Sequence, residues 1–387
     1  MEDDADYEGE ADYEGEAAYV ALLHGCQLHF LLYAFLLGAR LQKLDARRPR
    51  VLLIGKESQG YPSPWQQGCE SLKAFWRTMP VDLVDTHQLD RTKKKRHRHV
   101  FSKLHALTVP YRKITFFDLD ILVRRNPAEL FDVAAPAGMF HGPWDIRNRA
   151  VHGKKLPADA FKDGCVNAGV MRFDLLPTAR QRQNMLESIL ADVGNLDEEN
   201  ASFLPEQYYL SEKFADWHHI GVAWNCELTV EYFTKDGRIE CVQMPWDWWK
   251  INESRNISSQ VNIFHFSGEF LEPWWYLYLL PKPDAEIKKI LQNQFLERSP
   301  HGMIAVALSD WLQTVRDLQS LQSLSIQHAG VISQVVWSLA NQAQQWQHFC
   351  RKCRALSWHA NDCEECEMRT QLRKRRKKPT LADMCSS

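Results

Sequence analysis

The chain has 387 residues, of which 45% are hydrophobic and 25% charged, and its formal net charge is −2. That length can bury a full core and admits two or three domains. The balanced charge gives no global case for nucleic acid or an anionic membrane surface as partner, and the opening Met-Glu-Asp-Asp has no basic region of the kind a secretory signal needs.

The most apolar stretch, Leu28 to Ala39, is interrupted by His29. It is only about 12 residues long, too short to span a bilayer. A cytoplasmic location is therefore expected. On that reading the ten cysteines are reduced thiols, and the sequons at Asn200, Asn252 and Asn256 are not glycosylated. Fourteen tryptophans are many for this length, and Trp246, Trp248, Trp249, Trp274 and Trp275 cluster. Aromatic faces suit sugar rings, although tryptophan is mostly a core residue.

Residues 1–17 carry Ala-Asp-Tyr-Glu-Gly-Glu twice in tandem. Acidic and of low complexity, this segment has little to bury and is expected to be a disordered tail. From Ala18 the pattern becomes strand (Tyr19 to Leu23), helix (Leu28 to Leu44), strand (Val51 to Ile54), helix (about Trp65 to Thr78) and strand (Val81 to Val84). A basic run, Arg91 to Arg98, reads as a surface loop with the means to hold phosphate. Val100 to Thr108 is expected to be helical and leads into the apolar run 114–123, Ile-Thr-Phe-Phe-Asp-Leu-Asp-Ile-Leu-Val. Strands alternating with helices predict an α/β fold with a mostly parallel sheet, whose ligands gather at the carboxyl ends of the strands.

Asp118 and Asp120 lie at one such end. Side chains two apart on an extended chain point the same way. A facing carboxylate pair is tolerable only where it reaches solvent or shares a cation. Asp-x-Asp after a strand is a hard-oxygen pair suited to Mg²⁺ or Mn²⁺ on a substrate diphosphate. The tripeptide alone fits two solvated loop aspartates as well.

Further strands are predicted at Gly138 to His141, Cys165 to Phe173 and Asn262 to Phe266. Helices are predicted at Gln181 to Leu190 and Glu206 to Phe214, with a polar loop over 145–164. This α/β unit spans 18–284. Over 285–349, Ile304, Leu308, Trp311, Val315 and Leu318 form the seam of an amphipathic helix or short coiled coil, a surface for a homodimer or another partner. Val331 to Trp346 suits a second helix packed on it. The tail 350–387 holds Cys350-x-x-Cys353 and Cys363-x-x-Cys366, then the basic run Arg373 to Lys378. The cysteines have zinc-knuckle pairing but only nine residues between the pairs. The basic run has the composition of a nuclear-import address or of a solvated tail.

Four segments, in order and spacing, resemble glycosyltransferase family 8, the group containing glycogenin and galactinol synthase. They are Ser-Lys-Leu-His (102–105) with Phe-Phe-Asp-Leu-Asp and Asn126-Pro-x-Glu-Leu-Phe131; Val166-Asn-Ala-Gly-Val-Met171; Glu206-Gln207 with Trp224-Asn225; and His265-Phe-Ser-Gly268 with Glu272-Pro273-Trp274. The resemblance covers roughly residues 18–280. It implies a GT-A nucleotide-diphosphate-sugar fold and retaining transfer of a hexose, glucose or galactose, from a UDP-sugar to a hydroxyl acceptor. By the same resemblance Asp118, Asp120 and His265 are the metal ligands, with Mn²⁺ preferred over Mg²⁺ because of the imidazole. Lys103, Leu119, Asn167, Ala168 and Gly169 would face the donor, Glu206 and Gln207 the reacting sugar or acceptor, and Gly268 the diphosphate. Two departures stand out. Glu272 occupies the place of a lysine that contacts the leaving diphosphate, with Arg124, Arg125 or Lys250 as candidate replacement cations. After the first strand, Leu23-His24-Gly25-Cys26 lacks the usual uracil contacts, leaving His24 as the substitute. A fold retained as a catalytically impaired scaffold is the alternative reading.

Overall fold

A computed structural model describes residues 12–61, 63–86, 98–142, 146, 149–196, 205–228, 231–233, 239–241, 257–267, 272–295, 303–321 and 325–349. The cysteine pairs and basic run of the tail, most of the loop 91–98, Trp246, Trp248, Trp249, Lys250, Gly268 and the asparagines of the three sequons lie outside them.

The chain begins β1 (Gly15–Leu23), α1 (Leu28–Leu44), β2 (Arg50–Gly55), α2 (Ser63–Leu72), β3 (Arg77–Val81), β4 (Tyr111–Phe117), β5 (Ile121–Val123) and β6 (Ala137–His141). It continues β7 (Cys165–Asp174), α3 (Ala179–Gly194), α4 (Pro205–Lys213), β8 (His218–His219), β9 (Cys226–Glu227), β10 (Glu231–Phe233), β11 (Ile239–Cys241) and β12 (Ile263–His265). Three helices follow, α5 (Asp284–Phe295), α6 (Met303–Gln319) and α7 (Ile326–Phe349). Seven strands form one sheet in the order β3-β2-β1-β4-β7-β6-β8. The β1–β2, β2–β3, β1–β4 and β6–β8 pairs are parallel, while β7 runs antiparallel to both its neighbours. The predicted α/β class with a mostly parallel sheet therefore holds. A smaller sheet has the order β5-β12-β9.

The central strands are apolar on both faces, as sheets covered on both sides require. Alternate residues of β1 feed the two cores: Tyr19, Ala21 and Leu23 join α1, and Ala18, Val20 and Leu22 join Phe101, Leu104 and Phe140. α1 is apolar nearly all round because it is enclosed between sheet and C-terminal helices. Nine of its residues, Leu31 to Gly38 and Leu41, are buried, and each large side chain contributes about 1.5–3 kcal/mol by leaving water. Ile304, Leu308, Trp311, Val315 and Leu318 of α6 belong to the same core as Tyr33 and Phe35 of α1. The seam expected to serve a partner is thus spent inside the molecule.

Several boundaries differ from expectation for identifiable reasons. The second helix ends at Leu72. Phe75 and Trp76 are buried beyond it, Trp76 Nε1 donating to the Ala34 carbonyl at 2.9 Å, and the strand opens earlier, at Arg77. Val100–Thr108 winds as a 3₁₀ helix. The end of the acidic tail is ordered, with β1 opening at Gly15. Asp12 accepts from the Ala179 N–H at 2.6 Å, at the N-terminus of α3, and from Arg182 at 2.7 Å. The Tyr13 hydroxyl donates to the Leu175 carbonyl under the Arg182 guanidinium. A carboxylate at a helix N-terminus meets otherwise unsatisfied N–H groups, which composition alone does not reveal.

Candidate active site

The apolar run 114–123 is two strands with a corner between them. β4 ends at Phe117 in the large sheet, and β5 begins at Ile121 in the small one. Asp118-Leu119-Asp120 spans the junction, pinned by two backbone bonds: Asp118 N–H to the Gly169 carbonyl and Phe266 N–H to the Asp120 carbonyl, each 2.8 Å. Alternation aims both carboxylates outward and turns Leu119 into the core, where it is 8% exposed. Leu119 can therefore offer a donor its backbone, and its side chain is taken up by packing.

β12 lies antiparallel to β5 with His265 opposite Ile121, which brings the imidazole to the same corner. One ligand atom each from Asp118, Asp120 and His265 lies within 4.8 Å of the others. His265 Nε2 is 3.4 Å from Asp120 Oδ1. The two aspartates keep 31% and 32% of their side chains exposed, and His265 only 5%, so the group opens on one side over a buried floor. Burial opposes protonation of His265, but Asp120 and then Glu227 and Asp118 outweigh it and raise its pKa to about 9. The Asp120 carboxyl, although partly desolvated, is held below the usual range by that imidazole. The field of this corner draws a proton on to the ring, and a divalent cation would answer it better. Two carboxylate oxygens and one imidazole nitrogen, with an open side for phosphate oxygens, form a donor set for Mn²⁺ or Mg²⁺.

Gly169 shows why this strand position has no side chain. A Cβ there would sit 2.3 Å from His265 Cε1 and 2.7 Å from Nδ1. The ring lies directly on the β7 backbone.

Lys103, from the 3₁₀ helix, is buried with its ammonium 3.1 Å from Asp118 Oδ1, 3.4 Å from the Ala168 carbonyl and 4.0 Å from Glu206 Oε1. Burial would lower its pKa, yet Asp118 and Glu206 raise it above the usual lysine value. Glu206 opens α4 and is buried. Desolvation lifts its pKa, against the pull of Lys103 and a hydrogen bond from Gln207. The remaining Gln207 atom, Oε1, is a buried acceptor with no partner among the described residues. His24, after β1, is enclosed by Phe30 and His99, and its pKa falls to about 4 by burial and then by His99 and Lys103.

Asn167 is committed to protein partners: its Oδ1 accepts from the Gly169 N–H at 2.9 Å and from Asn225 Nδ2 at 2.8 Å, and its Nδ2 donates to Glu227 at 2.9 Å. Ala168 packs its methyl group in the second core. Glu272 accepts from the Tyr33 hydroxyl at 2.6 Å, and Tyr33 lies in the field of both Glu272 and Asp120. Arg124 and Arg125 do not stand in for the missing lysine. Arg124 lies beside Asn262 at the far end of β12, held by the Val261 carbonyl and Asp310, and Arg125 donates to Ser259. Sequence reasoning passed over Glu227 and treated Asn225 only as part of a motif. Their signal was weak, because a polar residue in a two-residue strand has no periodicity.

The family model described as Glycosyl transferase family 8 matches residues 57–277. Uncharacterized protein R707 of Acanthamoeba polyphaga mimivirus is 24% identical over 266 residues, 66% of this chain and 82% of that protein. Among solved structures, the galactosyltransferase LgtC in complex with donor and acceptor sugar analogs has 11% identity and a TM-score of 0.44, covering 82% of this chain and 99% of that one. Mouse xyloside xylosyltransferase 1 has 16% identity and a TM-score of 0.34, over 65% and 97% of the two chains. With its matched region spanning most of the α/β unit, the chain belongs to glycosyl transferase family 8. Its fold is accordingly of the GT-A class, and family membership supports glycosyl transfer between a nucleotide-sugar donor and a sugar acceptor. Among the described residues no helix is long and apolar enough to cross a membrane.

Proposed function

We propose that the protein is a retaining, metal-dependent hexosyltransferase that moves glucose or galactose from a UDP-sugar to a hydroxyl acceptor. The observation that carries this is the convergence of Asp118, Asp120 and His265 at one corner beside Lys103. Bound there, Mn²⁺ would neutralise charge on the diphosphate as the anomeric bond breaks. Lys103 fixes the orientation of Asp118 and adds positive potential. Gln207 Oε1, unpartnered and buried, is the acceptor atom for a sugar hydroxyl, and Glu206 holds the Gln207 amide in place. His24, neutral at pH 7, fits an uncharged heterocycle such as uracil. Incubation of the full chain with UDP-glucose or UDP-galactose, with and without Mn²⁺, should release UDP only with metal. Intact-mass measurement of the same sample tells transfer to the protein itself from transfer to small acceptors. Failure to release UDP from any UDP-sugar, in a folded protein that binds Mn²⁺, would refute the reading.

Glu272 favours a second reading, a scaffold with impaired catalysis, because an anion near the diphosphate opposes departure of an anionic leaving group. Removing one such charge is worth roughly 1–2 kcal/mol at an effective dielectric of about 20, or about tenfold in turnover. Glu272→Gln keeps an acceptor for the Tyr33 hydroxyl. A rise of that size in kcat with unchanged thermal stability is expected, and wild-type and variant both inactive would favour the scaffold.

A further inference from the structure

We propose that Asn167, Asn225 and Glu227 are positioning residues, a hydrogen-bond relay that keeps the proton of His265 on Nδ1 and aims the Nε2 lone pair at the cation. The proposal rests on the metal-site reading above and deepens it.

The direction of every bond follows from one group that can only donate. The Gly169 N–H can only donate, and it meets Asn167 Oδ1 at 2.9 Å. The other end of that amide, Nδ2, then donates to Glu227 Oε1 at 2.9 Å. The Gly169 contact thus fixes which end of the Asn167 amide is oxygen. The same oxygen also takes the 2.8 Å contact from Asn225, so that atom of Asn225 is Nδ2, the donor. The other Asn225 atom, 2.9 Å from His265 Nδ1, is then Oδ1, an acceptor only, and Nδ1 must carry hydrogen. With that proton fixed, neutral His265 has its free lone pair on Nε2, the atom that faces Asp120.

The relay is built into the sheet. Glu227 on β9 stands in register with His265 on β12, and the Leu228 N–H bonds the His265 carbonyl at 3.0 Å. Asn167 and Gly169 belong to β7 of the large sheet, so the relay also joins the two sheets across the metal corner. Asn225 is fully buried, and Asn167, Glu227 and His265 are nearly so. In such an enclosed place a wrongly turned amide would set donor against donor, at a cost that favours one arrangement. The Asn-Ala-Gly segment thus acts on the donor site indirectly: its glycine makes room for the ring, and its asparagine orients it.

The test uses the full chain without any sugar nucleotide. In metal-free protein labelled with ¹⁵N-histidine, the His265 Nδ1–H should give a slowly exchanging downfield proton, assigned to this ring by its loss in His265→Asn and to Nδ1 rather than Nε2 by the ring's two-bond ¹⁵N couplings. Asn225→Ala should remove that signal and weaken Mn²⁺ binding, read by electron paramagnetic resonance titration, by about tenfold or more. Asn225→Asp keeps the acceptor for Nδ1–H and, protonated on its other oxygen, the donor to Asn167 Oδ1, so it should retain the signal and bind Mn²⁺ more tightly than Asn225→Ala. An unchanged signal or an unchanged Mn²⁺ affinity in Asn225→Ala overturns the relay, as does a loss in Asn225→Asp equal to that in Asn225→Ala. A wild type that binds no Mn²⁺ while the proton signal follows this pattern would sink the metal-site reading and leave the relay's control of the Nδ1 proton standing.

Discussion

Asp120→Asn is expected to lower metal-dependent turnover by at least about a thousandfold, roughly 4 kcal/mol of transition-state stabilisation. The change is nearly isosteric, and Asp120 is fixed at the corner by its backbone bond to Phe266, so the fold should survive. What disappears is one anionic oxygen from a three-residue donor set, together with the partner that faces His265 Nε2 at 3.4 Å. An amide oxygen is a weaker ligand for a hard cation than a carboxylate. Mn²⁺ affinity should fall in step with activity, and the His265 pKa, now about 9, should move back toward the ordinary imidazole value because its largest favourable partner is gone. Mn²⁺ titration, steady-state UDP release and histidine NMR read the three effects separately. Full activity in the variant would show that the corner does not hold the catalytic cation.

How much of this corner could be read in the sequence differs from residue to residue. Asp118 and Asp120 were legible because alternation along an extended segment puts them on one side, whatever the partner strand does. His265 lies 145 residues beyond Asp120, and no local pattern joins them; only its resemblance to a known family placed it. The pairing of β5 with β12 is the physical link, and both are three-residue strands too short for a periodic signal. The sheet was legible for the opposite reason: β1, β2, β4 and β7 are long, apolar and enriched in residues that pack on a pleated surface. The misplaced boundaries share a cause. The ordering of Asp12 and Tyr13 depends on Arg182, some 170 residues away, and the helix ending at Leu72 depends on a pocket for Trp76 made by α1. The reach of Arg124 to Asp310 likewise depends on where α6 packs. Sequence patterns report the local term, and these are decided by distant contacts.

Lys103→Met is expected to cost about 3–5 kcal/mol of folding stability, the typical penalty for leaving buried charge without its partner. Lys103 is 8% exposed and lies between Asp118 at 3.1 Å and Glu206 at 4.0 Å, with the Ala168 carbonyl at 3.4 Å. Methionine fills much of the same volume, so the loss is electrostatic rather than a cavity. Asp118 is partly open to water and can be rehydrated, whereas Glu206 is buried and cannot. The Glu206 pKa, already raised by desolvation and restrained by Lys103, should climb further. A carboxyl with a raised folded-state pKa binds more protons folded than unfolded, so stability falls as pH rises from the unfolded value toward the folded one. Urea denaturation should therefore show Lys103→Met losing stability from pH 5 to pH 8 more steeply than wild type. Adding Glu206→Gln should flatten that slope and recover part of the loss, since the amide carries no charge to desolvate. A double variant as unstable and as pH-dependent as the single one would mean that Lys103 serves Asp118 alone. Buried charge balance would then be set at the metal corner, and Glu206 would owe its state to α4 rather than to the lysine.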